Sequence, residues 1–319
     1  MRVWTLTASH LLDWIVGDPE FLPHPVRYIG IAIAQGECAL RSPGSGPLFE
    51  FIGGLVLTSG IVACSAVAVS KLLSALHRLS PSRARFVEIW LGASCLATRN
   101  LLDEANSVLQ ALEEVDLERA RLRLSRIVGR DTAELDASGI ARAAIETLAE
   151  SLCDGVIAPL TYLVVGGVPM AMAYKAVNTL DSMIGHRDED YEWFGKAAAR
   201  LDDAATFLPA RIAALLVCSA CMIFEPGNTC SAWRTWRLDG LKHASPNAGQ
   251  TESAMAGALR VQLGGVNMYN GERVETAFLG SGFRGPEVHD VRKALRITAL
   301  ASVLGFAVGC FLLSGKRHG

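Results

Sequence analysis

Acidic, basic and amide side chains stand on both sides of one charge-free apolar run in this sequence, Gly155 to Tyr174. Glu150 and Asp154 precede the run, and the polar residues that follow it include Lys175, Asn178 and Asp181. Ionisable groups close to membrane depth are energetically costly and usually functional. Carboxylates, a lysine and an amide placed in this way could bind ions or charged substrate groups, which a simple membrane anchor does not require.

The spacing of the polar residues places them along helix faces. One set repeats every four residues and comprises Arg142, Glu146, Glu150 and Asp154. Other sets repeat every three residues, namely Lys175, Asn178 and Asp181, and also Arg200 and Asp203. An ordinary solvated helix face would show the same spacing, and that alternative stays open for each isolated set. Beside a buried apolar run, a functional site becomes the stronger interpretation.

The sequence GGVP, residues 166–169, breaks the apolar run in its middle. The length of the run allows one spanning helix, since about 20 residues cross a hydrocarbon core. Because Gly can end a helix and Pro can start the next, the pattern favours two half-length helices joined by a tight turn. Such a re-entrant hairpin would return to the same membrane side and bring the polar end around Asp154 beside the one around Lys175.

Composition also indicates a membrane protein. Of the 319 residues, 50% are hydrophobic and only 19% are charged, and mean hydropathy is +0.29, whereas about a quarter of residues are charged in soluble domains. Further candidate spans are Phe51–Ser70, Ile297–Gly315, Ala204–Phe224 and, more weakly, Phe86–Thr98. We therefore predict a single all-α, multi-pass membrane domain, residues 1–319, with four or five membrane segments and polar helical loops.

The charge distribution excludes one class of partner and suggests an orientation. Net charge is -2 and no basic tract is interleaved with aromatic residues, so no nucleic-acid partner is expected. The basic stretch Lys71–Arg85 is expected on the cytoplasmic side.

Two further segments could supply functional side chains. Val3–Val16 is predicted to be a helix that ends at the rigid, proline-rich loop GDPEFLPHPVRYIG, which carries His24 and Arg27. Ser245 and Pro246 are predicted to be the N-cap and first residue of a helix rich in Ala and Gly. Either another backbone or a large flat ligand could approach that helix closely, and its N-terminus could bind an anion.

Several long motifs in register resemble the adenosylcobinamide-phosphate synthase family of cobalamin biosynthesis, also called CobD or CbiB. They are GDPEFLPHPVRYIG, RDTAELD, ESLCDGVIAPL, YKAVNTLDSMIGH, FGKAAARLDD with FLPAR, and HASPNAGQTESAMAGALRVQLGG. The resemblance extends from Asp13 to about Gly271. Three positions depart from the family pattern: Ser151 replaces Asn, His186 replaces Tyr and Thr206 replaces Asn.

The resemblance implies an inner-membrane enzyme whose active site faces the cytoplasm. It implies that ATP, with Mg²⁺, drives amide formation between the free propionate of adenosylcobyric acid, a corrinoid, and aminopropanol or its O-phosphate. The lipid bilayer, other late cobalamin-pathway membrane enzymes and a second copy of the chain are the further partners to consider. The sequence contains no GxxxxGK[ST] loop, so another arrangement must hold the nucleotide.

Amide formation from a carboxylate requires that one oxygen become a leaving group, most simply as an acyl phosphate. An enzyme must then hold two anions together, and Mg²⁺ with Lys or Arg can neutralise the phosphates. The candidates for metal or amine handling are Glu150, Asp154, Asp181 and Asp203, of which the three aspartates are the candidate metal ligands. The candidates for phosphate binding are Lys175, Arg200 and Arg211.

The remaining candidates would bind substrate or move a proton. Asn178 and Asn247 would orient carboxylate or amide groups. His24 or Asp154 would be the general base that deprotonates the incoming ammonium. Further substrate contacts are expected from Arg27, Ser245 and Glu252.

Two other functional classes stay open at this point. A non-catalytic membrane sensor or regulator is one, since AmpE-like proteins are a distant branch that resembles this family. The density of synthase-like motifs disfavours it. A transporter with a broken-helix binding site is the other, but no second GGVP-like interruption occurs in a corresponding half of the chain.

Overall fold

The computed structural model describes residues 1–18, 24–42, 44–186, 190–269 and 271–315. These residues form helices, together with one small two-stranded antiparallel sheet. The helices are α1 (Val3–Val16), α2 (Pro25–Leu40), α3 (Pro47–Leu79), α4 (Pro81–Ala93), α5 (Thr98–Glu113), α6 (Leu117–Leu124), α7 (Ala137–Leu152), α8 (Ala158–Ile184), α9 (Lys196–Phe224), α10 (Thr229–Asp239), α11 (Ala248–Leu259) and α12 (Val288–Gly315). The strands are β1 (Leu263–Tyr269) and β2 (Glu272–Leu279), a π-helical turn is Cys153–Ile157, and a 3₁₀ turn is Pro226–Asn228. The predicted all-α class is confirmed, although the β-hairpin was not predicted.

Four helical runs are long and apolar enough to cross a membrane, and each contains one of the predicted apolar segments. They are Pro47–Leu79, Ala137–Ile184, Lys196–Phe224 and Val288–Gly315. The weak fifth candidate, Phe86–Thr98, is not among the spans found in the described residues. It overlaps α4, whose 13 residues extend only about 20 Å. The chain is therefore an all-α, multi-pass membrane protein.

Prolines start three of the helices in the first third of the chain. Pro25, Pro47 and Pro81 occupy the first turn of α2, α3 and α4, where the missing N–H costs no hydrogen bond and the fixed φ suits a helix. The predicted extended loop is therefore too long, because α2 already begins at Pro25 and carries Arg27 on its first turn. Its other two prolines, Pro19 and Pro23, lie outside the described residues.

Gly167 interrupts α8 at the predicted break. Its φ of 71° and ψ of -163° are not helical, and only glycine adopts such angles readily. In a straight helix Tyr162 and Tyr174 would lie about 18 Å apart along the axis, yet their rings stack with centroids 5.0 Å apart. The chain therefore turns sharply at Gly167, as predicted for two half-length helices. The return of both arms to one membrane side stays a prediction.

The backbone divides into two compact units. The prediction of a single membrane domain stays a prediction. The first unit comprises Met1–Ala97, Ala158–Thr206 and Val308–Gly319. In it, α3 packs against α2, α4 and α8, and α1 packs against α4. The hydroxyl of Ser9 on α1 donates a 3.0 Å hydrogen bond to the carbonyl oxygen of Ile89 on α4. This unit contains the turn at Gly167.

The second unit comprises Thr98–Ile157 and Phe207–Ala307. Helices α5 and α6 come first in this unit and pack against each other. Asp136 is the N-cap of helix α7, and its Oδ1 accepts a 2.7 Å hydrogen bond from the backbone N–H of Gly139. Helix α11 packs against both α7 and α10, and all of its residues are buried. The polar residues of α11, among them Thr251, Glu252 and Ser253, are therefore enclosed.

Candidate active site

A buried ion pair connects the loop before α7 to α7 itself in the second unit. Arg130 Nη1 lies 2.7 Å from Glu146 Oε2, and their side chains are 12% and 5% exposed. The other oxygen of Glu146 accepts a 2.7 Å hydrogen bond from the backbone N–H of Gly264 on β1. A buried pair needs such additional hydrogen bonds to offset the cost of removing both charges from water. Glu146 is thus held in one orientation from two sides.

Two arginines tie the unpredicted β-hairpin to α7. Arg130 and Arg142 both donate to the side-chain oxygen of Asn267 on β1, over 2.9 Å and 3.1 Å respectively. Arg142 also donates to the carbonyl oxygens of Gly264 and Val266. The hairpin therefore acts as a rigid support that orients the charged face of α7.

Glu252 on α11 is a buried carboxyl group of this cluster whose pKa departs strongly from the ordinary value. Its side chain is buried, and no hydrogen bond or ion pair to it is found among the described residues. Burial, followed by the nearby charges of Glu146 and Glu150, raises the pKa of Glu252 well above its ordinary value, and Arg130 opposes this rise. A buried carboxyl without a donor is suited to a ligand that brings a proton or a positive charge.

His243, which the sequence reasoning missed, also lies close to this cluster. Burial is the main cause that lowers the pKa of His243, and Arg130 contributes in the same direction. Its Nδ1 accepts a 3.0 Å hydrogen bond from the backbone N–H of Ser245. The neutral ring therefore carries its proton on Nε2. The signal that could have revealed it is a lone histidine directly before the Ser-Pro helix start.

The start of α11 differs from the prediction. The helix begins at Ala248, and Asn247 occupies the N-cap position, so the predicted start at Ser245 and Pro246 is too early. Ser245 still stabilises the helix start, because its hydroxyl oxygen accepts from the N–H groups of Asn247 and Ala248 at 3.3 Å and 3.2 Å.

Arg211 also contacts this helix start, and its predicted role as a phosphate ligand stays a prediction. Its Nη1 donates a 3.1 Å hydrogen bond to Oδ1 of Asn247, and its Nη2 donates to the carbonyl oxygen of Pro246 at 3.4 Å. The guanidinium also stacks 3.6 Å from the ring centroid of Phe207. Arg211 and Asn247, both predicted to bind substrate, are thus brought together.

The small residues of α11 accommodate a second helix backbone and not a flat ligand. A Cβ atom on Gly257 would lie 2.6 Å from the carbonyl oxygen of Ser231 and 2.7 Å from Cα of Ala232, both on α10. A Cβ atom on Gly249 would lie 2.8 Å from the carbonyl oxygen of Gly240. Of the two alternatives drawn from the sequence, close approach of another backbone is therefore the one observed at these glycines.

The π-helical turn contains another predicted residue of the second unit. Asp154 lies in the turn Cys153–Ile157, directly after α7. Such turns often occur at functional sites. Arg142, Glu146 and Glu150 lie on α7 at the predicted four-residue spacing, whereas Asp154 lies in the π-helical turn, where that spacing no longer corresponds to one helix face.

A second group of charged residues surrounds His24 in the first unit. His24 Nε2 and Arg27 Nη2 lie 3.8 Å and 3.9 Å from the carboxylate of Asp18. Burial is the main cause that lowers the pKa of His24; Asp18 raises it, and Lys175 and Arg27 lower it further. His24, Arg27 and Lys175, all predicted site residues, are therefore close enough to interact.

Three aspartates of the first unit lie close together near the second arm of α8. Asp202 is the buried member, whereas Asp203 is half-buried, and Asp181 interacts with Asp202 electrostatically. Asn178 and Thr206 both donate hydrogen bonds to the carboxylate of Asp202. The sequence reasoning selected Asp203 from the LDD motif, but Asp202 has the more enclosed position.

The predicted metal ligands fall in two different units, with Asp154 in the second and Asp181 and Asp203 in the first. Among the described residues, no group of three or more His, Cys, Asp or Glu side chains is arranged to hold a metal ion. Mg²⁺ commonly uses only one or two carboxylates together with substrate phosphates, and the aspartates of the first unit suit that arrangement. Arg200 is exposed on α9, and a site shared by Asp154 and Lys175 stays a prediction.

Comparison with known proteins identifies the family. The sequence profile of the CobD/CbiB protein family matches residues 6–298 of this chain. This chain belongs to the CobD/CbiB family. It is 42% identical over 311 residues to the cobalamin biosynthesis protein CbiB of Salmonella typhi, covering 97% of this chain and 96% of that protein. It is 41% identical over 308 residues to the cobalamin biosynthesis protein CobD of Klebsiella pneumoniae, with the same coverage. No solved structure matches this CobD/CbiB chain.

Thr206, which the sequence analysis expects to differ from the family pattern, lies inside the polar group of the first unit. The Thr206 hydroxyl lies 3.4 Å from Oδ2 of Asp202 and 3.5 Å from the hydroxyl of Tyr174. Its neighbour Ala205 accepts a 2.8 Å hydrogen bond from the hydroxyl of Tyr162 through its carbonyl oxygen. Thr206 thus connects the folded-back arms of α8 to the aspartates.

Proposed function

We propose that this protein catalyses the amide-forming step of cobalamin biosynthesis on the cytoplasmic side of the inner membrane. ATP would activate the free propionate of adenosylcobyric acid, and aminopropanol or its O-phosphate would then displace phosphate to form adenosylcobinamide or its phosphate. Membership of the CobD/CbiB family supports the pathway. The environment of Glu252 is the observation that carries the reaction type.

Glu252 suits the capture and deprotonation of an ammonium group. Two of the charges that act on it, Glu146 and Glu150, are negative, and only Arg130 is positive. A cationic amine would balance this excess and would favour the ionised form of Glu252. A carboxyl whose pKa is raised toward neutrality is an effective general base. Loss of one ammonium proton to Glu252 leaves a neutral amine able to attack the activated acyl carbon.

The ATP phosphates require a basic surface, since the chain has no P-loop sequence. A cavity of about 550 Å³ in the second unit is lined by Arg234, Lys242, Arg260 and Ser281, among other residues. Lys242 pairs with Asp239, whereas no ion pair involving Arg234 or Arg260 occurs in the described part of the chain. We assign this cavity to the nucleotide phosphates. Mg²⁺ bound with ATP would neutralise phosphate charge.

The experiment that tests the reaction uses the purified full-length protein in lipid nanodiscs. It is incubated with adenosylcobyric acid, MgATP and either free or phosphorylated aminopropanol, and amide product and ATP consumption are measured together. We expect product only when ATP and an amine are both present. Absence of amide formation with either amine would reject the proposal and would favour a non-catalytic regulator.

Glu252→Gln tests the general base within that assay. We expect a loss of about 100- to 10,000-fold in turnover, because Gln keeps the shape of the side chain but cannot accept the proton. Glu118→Gln is the matched control, since Glu118 is exposed on α6, and it should keep full turnover. Full activity of Glu252→Gln would exclude Glu252 as the base.

Arg260→Gly tests the nucleotide cavity without a risk to folding. Arg260 has a φ of 51°, a left-handed conformation that glycine adopts at lower cost. The variant should therefore be at least as stable as the wild type, while its apparent KM for ATP rises about tenfold through loss of a charge-assisted contact. Arg237→Ala, an exposed arginine on α10 outside the cavity, is the control. An unchanged KM in Arg260→Gly would place the phosphates elsewhere.

A further inference from the structure

A polar cavity of about 680 Å³ lies at the carboxyl-terminal end of α3 in the first unit, and none of the residues assigned to the reaction lines it. Residues from α3, from α4 and from the start of α1 line it, and those used below are Arg2, Trp4, Leu73, Arg78, Arg85 and Glu88. Nothing in the proposed amide-forming reaction requires this cavity.

The position of the cavity along α3 places it at the depth of lipid headgroups. The charge-free part of α3, Phe51–Ser70, has the length of a hydrocarbon core. Leu73 and Arg78 follow Ser70 by three and eight residues, which corresponds to about 5 to 12 Å farther along the helix. Headgroups and the interfacial layer occupy this range beyond the hydrocarbon.

The charge of the cavity favours an anion. Arg2, Arg78 and Arg85 are exposed, and within the described residues none of them forms an ion pair. Glu88 is the one acidic residue in the cavity lining. Three guanidinium groups around one carboxylate leave a net positive site, and arginine suits phosphate because its planar group can donate two hydrogen bonds at once.

The surroundings favour a lipid over a soluble phosphate compound. Trp4, with an exposed fraction of 39%, lines the cavity, and tryptophan is enriched at the membrane interface. Leu72, two residues beyond the charge-free part of α3, is 46% exposed, so apolar surface for acyl chains adjoins the basic group on its hydrocarbon side. Basic pockets between membrane helices on the cytoplasmic side bind anionic headgroups.

We infer that this cavity binds the phosphate headgroup of an anionic glycerophospholipid and thereby fixes the end of α3 at the cytoplasmic leaflet. Arg78 and Arg85 would hold the phosphate from two helices that meet at Pro81. Arg2 would approach it from the start of the chain segment that forms α1. The site is independent of catalysis, so it can be tested without a corrinoid substrate.

The test measures lipid selectivity by native mass spectrometry of the full-length protein in detergent. The protein is incubated with equal amounts of phosphatidylglycerol and phosphatidylcholine that carry identical acyl chains. We expect phosphatidylglycerol to be retained preferentially. In Arg78→Gln/Arg85→Gln the preference should fall by about tenfold to thirtyfold, as expected for two basic residues near a membrane surface.

Two further variants show whether the lipid preference depends on the arginines of the cavity or on positive charge anywhere on these helices. Lys71→Gln/Arg83→Gln removes the same charge from the same two helices but from outside the cavity, and it should keep most of the preference. Arg78→Lys/Arg85→Lys keeps the charge and should also keep most of it. Equal binding of both lipids by the wild type, or equal losses in the cavity and control variants, would overturn the inference.

A competition arm separates the lipid from a soluble source of phosphate. Inorganic phosphate and glycerol phosphate are added in excess before the lipid mixture. Retention of phosphatidylglycerol under these conditions supports the lipid site, because the acyl chains add affinity. Complete displacement by either small anion would show a soluble phosphate site and would overturn the assignment.

Discussion

The two groups of charged residues in this protein are held in different ways. In the second unit, Arg130 and Glu146 lie 2.7 Å apart and are almost completely buried. In the first unit, the closest approaches of Asp18 to His24 and Arg27 are 3.8 Å and 3.9 Å. The Arg27 side chain is 47% exposed there, so water competes for its charge.

The difference indicates which group is organised before a ligand arrives. Backbone groups of the β-hairpin bond directly to Glu146 and Arg142, so the geometry of the buried group does not depend on long, mobile side chains. Side chains that are already held in place lose little conformational entropy when a ligand binds. The group around His24 is more open and can adapt. Four substitutions would test this contrast.

Arg130→Ala should have the largest effect on stability. Removal of one partner leaves the buried charge of Glu146 uncompensated, which costs about 3–5 kcal/mol of unfolding free energy. Thermal unfolding in detergent would measure the loss. The double variant Arg130→Met/Glu146→Met should recover most of it, because apolar residues replace both charges. A loss below about 1 kcal/mol in Arg130→Ala would show that the pair is not buried as described.

Gly167→Ala should have an intermediate effect, through the backbone alone. A Cβ atom at Gly167 meets only ordinary contacts, the nearest 3.8 Å away, so the cost arises from the φ of 71° and is about 1–3 kcal/mol. Gly60→Ala is the control, because Gly60 lies within α3 and a Cβ atom there meets nothing within 4 Å. That substitution should be neutral or slightly stabilising. Equal effects of the two would contradict a sharp turn at Gly167.

Glu252→Gln should alter how stability depends on pH. The raised pKa of Glu252 means that the folded protein keeps a proton that the unfolded chain releases. The stability that this proton contributes is complete below the ordinary glutamate pKa of 4.5. It is lost as pH rises through the pKa of the folded protein, at up to about 1.4 kcal/mol per pH unit. Unfolding measured from pH 4 upward should show a smaller decline in Glu252→Gln. An unchanged slope would mean that Glu252 titrates normally.

Arg27→Ala should have the smallest effect. The half-exposed side chain and the 3.9 Å distance to Asp18 predict a loss of less than about 1 kcal/mol. That loss should disappear in high salt, because screening removes interactions between exposed charges. A loss as large as that of Arg130→Ala would remove the contrast between the two groups.

Much of the fold could be predicted because membrane segments follow local composition. The four spans coincide with apolar runs that were visible in the sequence, since a hydrocarbon core requires about 20 apolar residues in succession. The turn at Gly167 was predictable for a similar reason, because Gly and Pro act on the backbone next to them. The β-hairpin was missed because its glycine-rich β1 directly follows a helix and lacks a strong alternating pattern.

The membrane class, the broken helix and the family could all be inferred from the chain alone, since each depends on the order of neighbouring residues. Which charged residues are enclosed became clear only from the folded arrangement. Glu146 accepts a hydrogen bond from Gly264, 118 positions away, and the raised pKa of Glu252 is due first to burial and then to carboxylates on another helix. Asp202 is buried beside the half-buried Asp203. Burial and electrostatic environment depend on groups that folding brings together, and spacing along the chain does not contain that information.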